Sequence, residues 1–226
     1  MNKSSHESER FFDFVLLLQD FAQNNRGNDS PCLVMTLDAI LLAGGESRRM
    51  GRDKATLVFR GQPLWQRQIE LLRSLHPESI FVSVRREPSW LPPDAELLLD
   101  EAPSRGPLSG LTKALERMQT SHLLTLAVDM PFMTGEQMQG LWGLATNGCG
   151  VLPMFGERAE PLAAIYPREA SADVSAALAG DDFSLQRLCG GLLRGGKLRV
   201  FQVAQDDEGL YRSVNEREDL DCSDGL

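Results

Sequence analysis

The stretch LLAGGESRRMGRDK at residues 41–54 begins inside an apolar run, residues 37–42, and passes through two adjacent glycines into a charged loop. The loop holds four basic and two acidic side chains, a net charge of +2, in a chain whose 23 Lys and Arg against 32 Asp and Glu give −9. The apolar run is typical of a strand buried on both faces. Glycines that expose backbone N–H groups beside several cations predict a loop that binds a polyphosphate.

Two better-known phosphate-binding patterns do not fit this loop. A Walker A loop requires Gly-Lys followed by Ser or Thr, whereas Gly51 is followed by Arg52. A dinucleotide-binding fingerprint requires G-x-G-x-x-G, whereas Gly44 and Gly45 are adjacent. The remaining alternative is an ordinary glycine turn that carries a solvated charged loop.

Strand and helix patterns alternate along the rest of the chain. The predicted strands cover residues 37–42, 79–84, 95–99, 123–128, 149–154, 162–166 and 198–203, the last at an edge. The predicted helices cover residues 63–75, 107–118, 135–144, 168–178 and 184–188, and Gly190 and Gly191 are expected to end the last one. This alternation predicts an α/β fold, a three-layer, mostly parallel sheet with helices on both faces.

Three candidate site features follow directly on predicted strands. They are the loop at Gly44, Asp100 after residue 99, and Asp129 after residue 128. Because ligands bind beyond the carboxyl ends of the strands in such sheets, we expect the three features to share one cleft.

The composition argues against several classes of protein. An acidic chain of 226 residues lacks the basic balance that nucleic-acid binding requires. The longest unbroken apolar run near the N-terminus, residues 14–18, is far shorter than the roughly 20 residues that cross a bilayer. The four cysteines are widely spaced, without a C-x-x-C pattern, which argues against zinc. We therefore expect a cytoplasmic protein that binds neither nucleic acid nor membranes.

Residues 42–54, written L-A-G-G-x-S-x-R-M-G-x-D-K, resemble the signature of the MobA family of nucleotidyltransferases, the molybdenum cofactor guanylyltransferases. Further landmarks follow in the family's order, namely G-P-L-S-G-L at 106–111, V-D-M-P-F at 128–132, E-P-L-A-A-I-Y at 160–166 and S-V-N-E-R-E-D-L at 213–220. The resemblance implies a Rossmann-like nucleotidyltransferase fold over residues 35–226. Because residues 24–31 are turn-rich and Met35 lies just before the first strand, we expect residues 1–34 to be a dispensable N-terminal extension that an upstream start codon explains. The alternative is an amphipathic helix that docks on the body or on a partner.

The resemblance also implies roles for individual residues. Catalysis is implied for Arg49, Lys54 and Asp129, with Mg²⁺ bound by Asp129, for which helix capping near Thr134 is the alternative. The implied nucleotide-binding residues are Leu42, Ala43, Gly44, Gly45, Lys54, Asp100 and Asp129. Further candidates are Ser83, Gly106, Pro107 and Asn215. Two positions depart from the family's pattern, since Ser83 replaces an asparagine and Ser213 replaces the first asparagine of an N-V-N motif.

The implied reaction is transfer of GMP from GTP to the phosphate of molybdopterin-bound molybdenum cofactor. The cofactor's phosphate attacks the α-phosphorus in line and pyrophosphate leaves, with no covalent enzyme intermediate. GTP and molybdenum cofactor are thus the expected substrates, and transient docking to molybdoenzymes or their chaperones is an expected interaction. Two alternatives are a cytidylyltransferase for the same cofactor and a non-catalytic protein that binds molybdopterin as a chaperone.

Overall fold

The computed structural model describes residues 34–44, 53–100 and 104–214. Its strands are β1 (Leu37–Leu42), β2 (Val58–Phe59), β3 (Gln62–Pro63), β4 (Ile80–Val84), β5 (Ala95–Leu99), β6 (His122–Ala127), β7 (Gly150–Phe155), β8 (Arg158–Ala159), β9 (Ile165–Pro167) and β10 (Leu198–Gln202). Its α-helices are α1 (Leu64–Arg73), α2 (Pro107–Arg117), α3 (Gly135–Leu144), α4 (Ser171–Ala179) and α5 (Leu185–Arg194). Short 3-10 helices cover Lys54–Thr56, Arg168–Ala170 and Gln205–Tyr211.

Eight of these strands form one sheet, in the order β10-β7-β9-β6-β1-β4-β5, with β8 paired to β7. The central strand β1 runs parallel to both β4 and β6, and β9 is antiparallel to its neighbours. Leu42 at the end of β1 lies opposite Ser83 on one side and Ala127 on the other. The register therefore brings the carboxyl ends of these three strands to the same edge of the sheet.

Helices cover both faces of the sheet. Every residue of β1 is buried, and its side chains alternate between the two faces. Ala39 and Leu41 belong to the apolar cluster that includes α1 and α3, whereas Ile40 and Leu42 belong to the cluster that includes α2, α4 and α5. The predicted three-layer, mostly parallel α/β fold is confirmed.

Two predicted elements differ from the structure. The prediction that Gly190 and Gly191 end the last helix is wrong, because α5 continues through both glycines to Arg194. Leu188, Cys189 and Leu192 are buried on the sheet, and that packing offsets the roughly 1 kcal/mol that each glycine costs inside a helix. The strand predicted over residues 162–166 is shorter and later: it is β9, Ile165–Pro167, which pairs with the first half of β6.

Two buried polar residues on neighbouring strands are structural. The carboxylate of Asp38, within β1, accepts hydrogen bonds from the backbone N–H of Ser79 at 2.9 Å and of Gln119 at 3.3 Å. The imidazole of His122 packs edge-on against Trp142 and its Nε2 lies 3.1 Å from the carbonyl oxygen of Thr146. Burial lowers the pKa of His122.

None of the helices in the described part of the chain is long and apolar enough to cross a membrane.

Candidate functional site

A cleft of about 290 Å³ opens at the carboxyl edge of the sheet, where β1, β4, β5 and β6 end. It is the shared cleft that the strand ends predicted. Its lining residues are Leu42, Ala43, Gly44, Lys54, Ser83, Arg85, Asp100, Gly106, Pro107, Ala127, Val128, Asp129 and Leu162.

Lys54 and Asp129 form an ion pair inside this cleft. The Lys54 ammonium lies 3.1 Å from Oδ2 of Asp129, and the two side chains are 19% and 23% exposed. The 75 residues that separate them in the chain are brought together by the β1–β6 pairing. The alternative role of Asp129 as a helix cap is excluded, since α3 is capped by Thr134, whose hydroxyl accepts a hydrogen bond from the N–H of Gln137.

Asp53 and Trp90 orient the turn that carries Lys54. Oδ1 of Asp53 accepts a hydrogen bond from the N–H of Ala55 at 3.0 Å and so caps the 3-10 helix Lys54–Thr56. Its Oδ2 accepts a second bond from the indole N–H of Trp90 at 2.9 Å. The Trp90 ring stacks on Trp65 with centroids 5.3 Å apart. Asp53 and Trp90 thus set the direction in which the Lys54 side chain enters the cleft.

Asp100 is the second carboxylate of the cleft. Its N–H donates to the carbonyl oxygen of Val84, which ties it to the end of β4. Its two carboxylate oxygens accept hydrogen bonds from the hydroxyls of Ser83 and Ser104, each at 3.1 Å. Gly44 passes close by, and a Cβ added there would lie 3.2 Å from Oδ2 of Asp100. Ser83 therefore lines the cleft and also orients Asp100.

The N-terminus of α2 closes one side of the cleft. Gly106 precedes the helix with a φ of 67°, and Pro107 is its first residue. The N-terminal end of a helix carries a partial positive charge and favours anions. The helix approaches the sheet closely at Gly110, where an added Cβ would lie 2.3 Å from the Ser83 hydroxyl.

The predicted site residues divide into two groups. The structure brings nine of them into the cleft, namely Leu42, Ala43, Gly44, Lys54, Ser83, Asp100, Gly106, Pro107 and Asp129. Gly45, Arg49 and Asn215 lie outside the described residues, so their assignments stay predictions.

Five residues of the site were missed from the sequence, namely Arg85, Ser104, Ala127, Val128 and Leu162. Arg85 follows β4 at the same edge as Asp100, and its position just after a buried strand was the available signal. Ala127 and Val128 directly precede Asp129, and Leu162 belongs to the landmark at 160–166, so their positions in the sequence were also signals. Ser104 gave no such signal, because its place depends on loop conformation. Glu160 is partly buried nearby, and burial together with the negative charge of Asp129 raises its pKa.

The chemistry of the cleft suits a polyphosphate and a hard cation. The cations Lys54 and Arg85 and the α2 terminus can neutralise phosphates. Within the described part of the chain no group of three or more His, Cys, Asp or Glu gathers as a metal cage. Mg²⁺ requires none, because it takes one or two carboxylates plus substrate phosphates. Asp129 fits that role, since its Oδ1 accepts no hydrogen bond from a described residue.

Cationic groups, carboxylates and a helix N-terminus at the carboxyl edge of a mostly parallel sheet are characteristic of nucleotide-binding enzymes. Residues 39–194 match the family model of the MobA-like NTP transferase domain, and the chain belongs to this family of nucleotidyltransferases.

Curated relatives match over most of the chain. The probable molybdenum cofactor guanylyltransferase of Opitutus terrae is 36% identical over 188 residues, which cover 82% of this chain and 93% of the relative. The molybdenum cofactor guanylyltransferase of Cereibacter sphaeroides is 33% identical over 197 residues, which cover 85% of this chain and 97% of the relative.

Solved structures share the fold. Molybdopterin-guanine dinucleotide biosynthesis protein A from Archaeoglobus fulgidus superposes with a TM-score of 0.64 at 20% identity, over 82% of this chain and 95% of that one. A 4-diphosphocytidyl-2C-methyl-D-erythritol synthase from Anaerococcus prevotii superposes with a TM-score of 0.61 at 12% identity, over 82% of this chain and 93% of that one. Since the second protein is named for a cytidyl product, this fold alone does not select a base.

Proposed function

We propose that the protein transfers GMP from GTP to the phosphate of molybdopterin-bound molybdenum cofactor and releases pyrophosphate. The observation that carries the proposal is the Lys54–Asp129 pair inside the cleft, at the carboxyl edge of the sheet, where nucleotides bind in folds of this class. The two curated relatives described above, at 36% and 33% identity, bear the name of this activity.

The proposed reaction requires positioning and charge neutralisation more than covalent chemistry. An oxygen of the cofactor's phosphate forms a bond to the α-phosphorus, and the bond from that phosphorus to the bridging oxygen breaks as pyrophosphate leaves. The attacking phosphate is already anionic, so no strong base is needed. Lys54 has a flexible stem and can turn from Asp129 to the phosphate oxygens. Arg85 and the N-terminus of α2 add positive charge on the other side of the cleft.

Magnesium is part of the proposal. Asp129 would hold Mg²⁺ through a carboxylate that faces the cleft, and the triphosphate would supply the remaining oxygen ligands. When bound, Mg²⁺ offsets the negative charge of the triphosphate and of the leaving pyrophosphate. Lys54 would then exchange its contact with Asp129 for one with the nucleotide.

Guanine selection is assigned to the Asp100 side of the cleft. An ionised carboxylate only accepts hydrogen bonds, and guanine presents two adjacent N–H donors on one edge. The hydroxyls of Ser83 and Ser104 hold the Asp100 carboxylate and can reorient when a base binds. A cytidylyltransferase remains the competing assignment, because cytosine also offers an amino donor.

Two further parts of the proposal concern the cellular setting. The product must reach a molybdoenzyme, so we propose transient docking to molybdoenzymes or their chaperones, and a cytoplasmic location for the reaction. We also propose that residues 1–34 are not required for it, since the family match starts at residue 39.

Alanine variants of the ion pair test the proposal. With GTP and molybdenum cofactor, Lys54→Ala and Asp129→Ala should each lose about 2–4 kcal/mol of transition-state stabilisation, measured as kcat/KM for pyrophosphate release. The matched control is the ion pair between Lys197 and Asp173 on the surface, which does not line the cleft. Near-wild-type turnover in a folded Lys54→Ala or Asp129→Ala protein would rule out the role assigned to that residue.

A further inference from the structure

Two consecutive side chains of α1 donate hydrogen bonds to the turn that follows β6. The amide nitrogen of Gln68 donates a hydrogen bond to the carbonyl oxygen of Met130 at 2.5 Å. The Nε of Arg67 donates to the carbonyl oxygen of Pro131 at 2.6 Å. These carbonyls belong to the residues directly after Asp129, so α1 contacts the backbone that carries the cleft carboxylate.

A segment near the end of the described chain also contacts this turn. The N–H of Val214 donates to the carbonyl oxygen of Asp129 at 2.7 Å. The guanidinium of Arg212 lies over the ring of Phe132, 4.6 Å from its centroid. Backbone carbonyls of three consecutive residues are therefore hydrogen-bonded to two parts of the fold, α1 and the segment at Val214, which leaves the turn little freedom to rotate.

The burial of Gln68 is energetically unfavourable. It is fully buried, and its Oε1 has no hydrogen-bond partner among the described residues. A buried acceptor without a partner destabilises a protein, whereas a methionine of similar volume at the same place would carry no such penalty. A contribution to stability therefore does not explain why a glutamine occupies position 68. Among the residues that the structure describes, its amide makes one hydrogen bond, to the carbonyl oxygen of Met130, next to Asp129.

We propose that Gln68 is a positioning residue for Asp129. By holding the Met130 carbonyl, it fixes the direction in which the Asp129 carboxylate enters the cleft and meets Lys54. The inference rests on the proposed function, in which Asp129 acts on the triphosphate. It requires no contact between Gln68 and substrate, and Gln68 does not line the cleft.

The test compares Gln68→Met with Gln66→Met. Gln66 lies on the same helix, and its amide nitrogen donates a hydrogen bond to exposed Glu70 at 3.1 Å, away from the turn after β6. Because displaced catalytic groups lose up to roughly 100-fold in rate, we expect Gln68→Met to lower kcat for pyrophosphate release about tenfold, with KM for GTP within about twofold. The midpoint of thermal unfolding should not fall, and Gln66→Met should match wild type.

Combination with Asp129→Ala separates positioning from general structural damage. If Gln68 acts through Asp129, Gln68→Met causes no further loss of kcat in an Asp129→Ala background. An unchanged kcat in the single variant would overturn the proposal. So would an equal loss in both backgrounds, or a lower unfolding midpoint with kcat intact.

A measurement without nucleotide keeps the inference separate from the proposed function. If wild type releases no pyrophosphate, the proposed function fails, and crystal structures of the two methionine variants then decide the role of Gln68. We expect Lys54 and Asp129 to lie beyond about 4 Å in Gln68→Met, outside ion-pair distance. Gln66→Met should retain the 3.1 Å contact. Retention of that contact in Gln68→Met would overturn the proposal.

Discussion

Substitution of Gly110 by alanine should destabilise the protein, although alanine is the better helix former. A Cβ at this position would lie 2.3 Å from Oγ of Ser83 and 2.8 Å from both Cβ of Ser83 and Cδ2 of Leu42. The serine hydroxyl can rotate away, but the Cβ of a strand residue cannot, so α2 must move off the sheet. We take the cost of overpacking at about 3 kcal/mol, near the upper end of such substitutions. The helix propensity of alanine offsets about 1 kcal/mol of that cost.

The expected net loss for Gly110→Ala is about 2 kcal/mol, or roughly 4–8 °C in the unfolding midpoint of a chain of this size. The matched control is Gly191→Ala in α5, where an added Cβ would meet nothing within 4 Å. That variant should gain about 1 kcal/mol from helix propensity alone. Urea and thermal unfolding followed by circular dichroism measure both changes.

The stability of the two glycine variants should therefore change in opposite directions, with a decrease in Gly110→Ala and an increase in Gly191→Ala. Since Leu42 and Ser83 also line the cleft, Gly110→Ala should raise KM for GTP, whereas Gly191→Ala should leave it unchanged. A Gly110→Ala protein as stable as wild type would refute the close packing of α2 on β1 and β4. A stable protein with unchanged KM would refute the link between that packing and the cleft.

Three further predictions concern other parts of the chain. Burial lowers the pKa of His122 below its ordinary value of 6.5, so the protein should lose stability as pH falls below 6.5, where the unfolded chain takes up a proton that the folded chain resists. Urea midpoints at about pH 7.5 and 5.5 should therefore differ less in His122→Gln than in wild type. An equal difference would contradict this assignment. Trp90→Phe keeps an aromatic ring against Trp65 but removes the hydrogen bond to Asp53. KM for GTP should rise a few-fold, since one exposed hydrogen bond contributes about 1 kcal/mol. The same rise in a Trp65→Phe variant would show that the stacked rings, rather than the hydrogen bond, orient Lys54. A chain that starts at Met35 should fold and retain the rate of pyrophosphate release, and loss of either would show that residues 1–34 are needed.

The strand ends were the most predictable part of the site. The apolar run of β1 and the alternation of patterns predicted a parallel sheet, and that alone brought Gly44, Asp100 and Asp129 to one edge. The physical reason is that parallel strands share their direction, so residues after neighbouring strands meet whatever the intervening loops do.

Side-chain partners across the fold were not predictable in the same way. The contact of Lys54 with Asp129 and that of Gln68 with the Met130 carbonyl each join residues more than sixty positions apart. No local pattern encodes such a pairing, because it depends on how a helix or loop is placed above the sheet. Gln68 in particular lies on the buried face of α1, at a position where an apolar residue is the ordinary expectation.

The end of α5 shows how packing overrides local preference. Gly190 and Gly191 are strong helix-ending signals in a sequence, yet the helix continues because Leu192 on the next turn is buried. Gly195 and Gly196, where the helix does end, carry the same signal five residues later. Only the position of the sheet beneath the helix distinguishes the two pairs.

The most direct test of the proposed function is pyrophosphate release by the purified protein with Mg²⁺ and molybdenum cofactor, measured separately with GTP, CTP and ATP. We expect release with GTP, formation of the guanine dinucleotide of molybdopterin by mass spectrometry, and no release when the cofactor or Mg²⁺ is omitted. Release with CTP alone would retain the fold and the cleft but contradict the assignment of guanine. No release with any of the three nucleotides, from folded protein and intact cofactor, would contradict the account and favour a binding role without catalysis.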